Sequence, residues 1–205
     1  MAAATAGLIL AGGLSRRMGG GIKGLREVGG VPLLRRVRDA LAPQCAPLLL
    51  SANCDATALA GLGLPVVADT VRGFAGPLAG ILAGLEHLCA HHPGIAWMAG
   101  APGDAPFLPD DLVARLHAAR GGSRMACAAS GGRVHPVAAL WPVHLAGALR
   151  DYLDSGGRRA MDFVQRQAAA VAEWEIAPRD PFFNVNTPED LAAANEMLER
   201  GPAAP

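Results

Sequence analysis

The sequence predicts an α/β fold: one domain built as a three-layer sandwich around a mainly parallel sheet. Short apolar runs at 6–10, 46–52, 64–68 and 95–99 alternate with segments of helical periodicity, the pattern of strand–helix–strand units. The 205 residues are 51% hydrophobic and 18% charged, enough for one full core and cramped for two. No linker, composition break or internal repeat divides the chain.

The first strand is read at 6–10 and runs into a glycine-rich loop that lasts to about Gly30. Pro32 suits the first position of a helix through about Ala42, because its missing N–H has no partner to lose there. Strands follow at 46–52 and 64–68. Leu78, Ile81, Leu82, Leu85, Leu88 and Cys89 share one face of a long helix opened by Pro77. A buried strand at 95–99 and a helix at 109–120 complete this half. The second half is less regular. It has strands at 125–129 and 134–140 around Gly131-Gly132, helices at 142–153 and 160–167, and a strand at 171–176. The last helix spans 187–199, with Thr187 as N-cap, Pro188 next and Asp190 at the third position. Residues 201–205 are expected to be a disordered tail, which leaves 1–200 as the domain.

Formal net charge is zero, so bulk electrostatics mark neither a nucleic-acid nor a membrane-surface binder. The four cysteines (Cys45, Cys54, Cys89 and Cys127) form no Cys-x-x-Cys pair and suit a reducing cytosol. The apolar start lacks a basic n-region, and no uncharged apolar run reaches the roughly 18 residues a membrane span needs. A cytoplasmic protein is expected. Of the 18 basic residues 17 are arginine, and the sole lysine, Lys23, stands in the glycine-rich loop. Lysine and arginine are not interchangeable at a phosphate.

That loop reads Leu10-Ala11-Gly12-Gly13-Leu14-Ser15-Arg16-Arg17-Met18-Gly19-Gly20-Gly21-Ile22-Lys23. Ligands of parallel α/β sheets bind at the carboxyl ends of strands. Gly12 and Gly13 let backbone N–H groups close around anionic oxygens, and Arg17 and Lys23 add positive charge. A Walker A loop is excluded, since Ile22 and Gly24 flank the lysine, and so is the dinucleotide Gly-x-Gly-x-x-Gly fingerprint. Asn53, at the end of the second strand, suits either a base or ribose contact or an ordinary turn. Asp104, after the strand at 95–99 and near the phosphate loop, is well placed to hold Mg²⁺, which takes one or two carboxylates plus substrate phosphates and water.

The loop resembles the nucleotidyltransferase signature Leu-Ala-Gly-Gly-x-x-x-Arg-Met-Gly-x-x-x-Lys, and most closely that of the molybdenum cofactor guanylyltransferase family. The resemblance implies a Rossmann-like, nucleotide-diphospho-sugar transferase-like fold. Its N-terminal half would bind GTP and its C-terminal half the acceptor. Related sugar-nucleotide and isoprenoid cytidylyltransferases usually have Ala-Gly where Gly12-Gly13 stands. Further segments match in order. Asp69 is implied as a nucleotide contact, with a cap or turn as its other reading. Gly76, Pro77 and Leu78, in the run through Ile81, are implied to lie beside guanine, which favours GTP over CTP. Asp104 matches the family's metal-binding aspartate, although Gly103 offers no second carboxylate. His135 and the pair Arg158 and Arg159 match segments on the acceptor side, where a phosphorylated pterin would call for arginines. Asn184 and Asn186 match the C-terminal signature and point the same way on a strand. They would reach metal or nucleotide, or brace the active-site loops. Ile22 departs from the acidic or polar residue many relatives have before the lysine.

The implied reaction is attack by the terminal phosphate of molybdopterin on the α-phosphorus of GTP, with pyrophosphate leaving. Leu10, Ala11, Gly12, Gly13, Lys23, Asn53, Asp69, Gly76, Pro77, Leu78 and Asp104 would bind nucleotide. Arg17, Lys23 and Asp104 would be catalytic, with Mg²⁺ on Asp104 and Mn²⁺ as a substitute. Other cofactor-assembly proteins or molybdoenzyme chaperones are the implied protein partners. Two rivals stay open: a relative using CTP or another acceptor, and a non-catalytic nucleotide-binding adaptor. His87, His91 and His92 read as a polar helix face rather than zinc ligands, since no His-Glu-x-x-His order exists. Serine hydrolase chemistry has no Gly-x-Ser-x-Gly elbow to support it.

Overall fold

The central strand β1 (Thr5–Leu10) alternates its side chains between two cores. Ile9, with Leu48 and Leu50 of β4 (Leu48–Ser51), faces a core shared with α1 (Leu33–Leu41) and α3 (Leu112–Arg120). Ala6 and Leu8, with Leu49, face the other core, against α2 (Pro77–His91), α4 (Ala146–Asp154) and α5 (Ala160–Arg166). The three layers follow from this period of two. The computed structural model describes residues 4–11, 22–53, 56–71 and 76–200. The loop residues Gly12, Gly13 and Arg17 and the tail 201–205 lie outside the described residues.

The remaining strands are β2 (Glu27–Val28), β3 (Val31–Pro32), β5 (Val66–Val67), β6 (Trp97–Pro102), β7 (Ala126–Ser130), β8 (Arg133–Pro142) and β9 (Ala170–Trp174). Seven strands form one sheet in the order β5-β4-β1-β6-β8-β7-β9. β5, β4, β1 and β6 run parallel, β8 runs against β6 and β7, and β7 and β9 are parallel. The expected mainly parallel sheet is thus observed, with β8 its one reversed strand. The chain leaves β1 toward β4 and β5 on one side and returns through α2 to β6 on the other. The carboxyl ends of β1 and β6 therefore flank a point where strand order reverses, the place where α/β sheets open a ligand crevice.

Several local expectations shift. Pro32 precedes the helix by one residue: it is the N-cap of α1 and pairs with Glu27 in the two-stranded β2–β3 hairpin. The first helical N–H, of Leu33, goes to the Arg26 carbonyl at 2.9 Å, so the hairpin satisfies a donor the helix leaves open. A 3₁₀ helix at Ala56–Leu62 fills the stretch between the expected strands at 46–52 and 64–68. β6 extends to Pro102, three residues beyond the expected strand. Thr187 caps α6 (Pro188–Glu199) as expected: its hydroxyl accepts from the Asp190 N–H, and the Asp190 carboxylate accepts from the Thr187 N–H. α6 lies on the hairpin through Val28, Leu33, Val185 and Ala194. Cys45 and Cys127 are buried in the cores, and burial pushes both thiols up to about 12.

Candidate active site

Two backbone bonds bring the end of β1 together with those of β6 and β4. The Gly103 N–H donates to Leu10 O at 3.0 Å, and the Ala11 N–H donates to Ser51 O at 2.8 Å. Gly103 has no room for a side chain. A Cβ there would stand 2.7 Å from Leu34 Cδ2 and 2.8 Å from Leu10 O. Asp104 follows at once, fixed by its own carbonyl, which accepts the Val185 N–H at 2.9 Å. Lys23 opens a 3₁₀ turn (Lys23–Leu25), anchored by Ile22 packing on the core beneath α1. Its ammonium donates to Asp104 Oδ2 at 2.5 Å and to Asn186 Oδ1 at 2.6 Å. Three segments far apart in sequence thus meet at one nitrogen. The Lys23 and Asp104 side chains are 17% and 25% exposed, sheltered enough for charge to act yet open to a ligand. A small cleft beside them is lined by Leu10, Ala11, Lys23, Leu34, Gly103 and Asp104.

This arrangement fits a hard divalent cation. A carboxylate oxygen and an amide oxygen already converge on one positive charge, and Mg²⁺ prefers such oxygens. The Asn184 side-chain oxygen, two residues from Asn186, is buried with no hydrogen-bond partner among the described residues. Among the described residues no group of three or more His, Cys, Asp or Glu side chains could hold a metal unaided. A Mg²⁺ site that borrows most of its ligands from phosphates and water needs no such group.

The expected nucleotide side continues along the same edge of the sheet. Asn53 and Asp69, after β4 and β5, form a closed pair: Asn53 Nδ2 donates to Asp69 Oδ2 at 2.6 Å, and the Asp69 N–H donates to Asn53 Oδ1 at 3.0 Å. Asn53 is exposed and Asp69 is half-buried. Gly76 is the N-cap of α2 with φ 67°, Pro77 follows, and Leu78 is buried. At Gly80 a Cβ would lie 2.4 Å from Ser51 Oγ and 2.5 Å from Leu10 Cδ2, so α2 presses directly on the end of β1.

The MobA-like NTP transferase domain matches residues 7–171. The chain belongs to the MobA-like NTP transferase family. A molybdenum cofactor guanylyltransferase of Rhodopseudomonas palustris (strain BisB5) is 55% identical over 200 residues, 96% of this chain and 95% of that protein. The fold is shared with molybdopterin-guanine dinucleotide biosynthesis protein A from Archaeoglobus fulgidus, at TM-score 0.72 and 22% identity, over 95% of this chain and 99% of that one. It is also shared with a manganese complex of Rv0371C from Mycobacterium tuberculosis, at TM-score 0.67 and 20% identity, over 96% and 100%. As a MobA-like transferase the chain is a nucleotidyltransferase of the nucleotide-diphospho-sugar transferase fold.

The residues expected on the acceptor side of this MobA-like transferase are held in different ways. Arg158 and Arg159 are exposed in the turn between α4 and α5. Arg158 Nη1 donates to Leu153 O at 2.7 Å and Gly157 O at 2.6 Å, and Tyr152 Oη donates to Arg159 O at 3.0 Å. No described contact joins either arginine to Lys23 or Asp104. His135 is 9% exposed, and its Nε2 is 2.8 Å from Ser130 Oγ. Burial lowers its pKa against the opposing pull of Asp180. Sequence reasoning missed Ser130 and Asp180. It also missed Thr70, Glu86 and Arg150, where Arg150 bonds Glu86 at 2.5 and 2.7 Å and Thr70 Oγ1 at 2.9 Å while Thr70 donates to Glu86. That cluster ties the segment after Asp69 to α2 and α4. No motif spacing signals it. His87 and His91 stack at 4.4 Å on the exposed end of α2.

Proposed function

We infer that this MobA-like transferase moves GMP from GTP onto the terminal phosphate of molybdopterin, releasing pyrophosphate and forming the guanine dinucleotide cofactor. The carrying observation is Lys23, shared between Asp104 and Asn186 where strand order reverses. The name of the Rhodopseudomonas relative supports the choice of base and acceptor.

The nucleophile is already an anion, so the site needs no general base. Its task is to bring two polyanions together and stabilise the departing pyrophosphate, by position and charge. Lys23 holds phosphate oxygens with the donor it does not spend on Asp104 and Asn186. Gly12, Gly13 and Arg17 wrap the β and γ phosphates in this reading. Asn53, Asp69 and the Gly76–Leu78 turn face the nucleoside, and the second half of the chain, including Arg158 and Arg159, receives the acceptor. Asp104, with Asn184 or Asn186, would hold Mg²⁺ or Mn²⁺, which when bound neutralises charge across the phosphates. No helix among the described residues is long and apolar enough to cross a membrane, and the free thiols of Cys45, Cys89 and Cys127 suit a reducing cytoplasm, where we place the reaction.

Lys23→Ala and Asp104→Ala test the site. Each removes a preorganised electrostatic partner, a loss of about 2.7–4 kcal/mol or roughly 10²–10³ in kcat. Circular dichroism should stay native. Turnover near the wild-type rate in either variant would remove the assignment.

A further inference from the structure

Buried His135 and Ser130 and half-buried Asp180 form a chain of polar groups that the chemistry above does not use. Ser130 and His135 are 3% and 9% exposed. Ser130 Oγ donates to Asp180 Oδ1 at 2.8 Å, and its oxygen lies 2.8 Å from His135 Nε2. A hydroxyl has one proton. With that proton donated to the Asp180 carboxylate in a hydrogen bond, Nε2 must donate to Ser130, so the three groups form a one-way donor chain ending on Asp180.

Asp180 is where a strap begins. Its Oδ1 also accepts the Phe182 N–H at 2.9 Å, and its carbonyl accepts the Phe183 N–H at 3.2 Å. The Phe182 ring stacks on His135 at 4.7 Å and meets Trp174 edge-on at 5.4 Å. Past this turn, Val185 binds the Asp104 carbonyl and Asn186 receives the Lys23 ammonium. The β7–β8 pairing shifts register here, from Cys127 opposite Ala139 to Ala128 opposite His135, leaving 136–138 looped out of the ladder. Such bulges re-aim side chains next to sites. This one sets His135 beneath the strap.

We propose that His135 is a positioning residue: through Ser130 and Asp180 it fixes the strap 180–186 that holds Asp104 and Asn186 against Lys23, and it does not touch the acceptor. The proposal rests on the Lys23–Asp104 reading of the active site. It separates two roles the sequence leaves together. An acceptor ligand would act through affinity, whereas a strap anchor acts on the geometry of the reacting groups, where about 1 Å of misplacement costs about 10²-fold.

The test is steady-state kinetics of His135→Phe, His135→Gln, Ser130→Ala and Asp180→Asn with GTP and molybdopterin, beside Lys23→Ala. His135→Phe keeps the ring on Phe182 and loses the donor, and His135→Gln restores an N–H. The expected result is a fall of about 10- to 100-fold in kcat for His135→Phe and Asp180→Asn, with KM for molybdopterin within about twofold of wild type. His135→Gln recovers most of kcat, and Ser130→Ala/Asp180→Asn together lose no more than Asp180→Asn alone, because the groups act as one chain. Should the histidine variants fold poorly, Ser130→Ala, the smallest change, carries the same expectation. A raised molybdopterin KM with unchanged kcat, or fully additive losses, overturns the proposal. If Lys23→Ala also turns over normally, the active-site reading falls with it. If only Lys23→Ala is inactive, the strap proposal alone falls.

Discussion

Gly103→Ala is the sharpest single perturbation of this fold, because the added methyl is small and the space it enters is fully specified. The new Cβ would sit 2.8 Å from Leu10 O, and ordinary contact begins at 3.4 Å. That oxygen is the acceptor for the Gly103 N–H at 3.0 Å, so methyl and hydrogen bond demand opposite movements of one atom. Leu34 Cδ2, at 2.7 Å, belongs to a side chain fully buried beneath α1 and cannot swing clear. Overpacking of this kind costs about 1–3 kcal/mol. At about 2–4 °C per kcal/mol for a chain of this size, Tm falls by several degrees. The backbone that recedes carries Asp104 with it, and displacement there should cost about 10- to 100-fold in kcat. Thermal unfolding and GTP turnover on the same preparation read both effects. Gly122→Ala, with nothing within 4 Å of its Cβ, serves as the silent control. Wild-type Tm and kcat in Gly103→Ala would refute the claim that the β1 and β6 ends are locked together.

Thr187→Ala removes the hydroxyl that accepts from Asp190 and should destabilise by about 0.5–2 kcal/mol, measured by urea unfolding. A change in kcat larger than the change in stability is also expected, because Asn186 adjoins the cap. Acid should weaken the fold through His135, whose folded pKa lies below the ordinary 6.5 through burial and the nearby Arg133, with Asp180 and Glu173 pulling the other way. The unfolded chain then binds a proton that the folded chain resists. Stability present above pH 6.5 is lost as pH falls through the folded value, and His135→Gln should show a shallower decline in urea midpoint between pH 7.5 and 5. An identical decline would count against it.

Elements with a strong local signal were legible in the sequence, and those set by distant partners were not. β1 and α6 stand near their expected positions because an apolar run and a capping box are written into adjacent residues. The β2–β3 hairpin has two residues per strand, too few for any periodicity, and its role emerges only when Arg26 takes the first N–H of α1. The sequence marks Lys23 as singular and Asp104 and Asn186 by motif. It cannot say that the lysine bridges the other two, since the partners lie 81 and 163 residues away. Asp180 shows no pattern at all, because its importance comes from Ser130, 50 residues distant. His135 is the instructive case. A motif places it on the acceptor side, while burial and its bond to Ser130 turn it toward the strap.

The most direct test of the account is which nucleotide yields pyrophosphate with molybdopterin. GTP and CTP, each labelled on the α-phosphate, are incubated side by side with the wild-type chain, Mg²⁺ and molybdopterin. The account predicts pyrophosphate release and label incorporation into a molybdopterin dinucleotide from GTP, with CTP at background. Incorporation from CTP instead, or GTP binding with no pyrophosphate released, would contradict it.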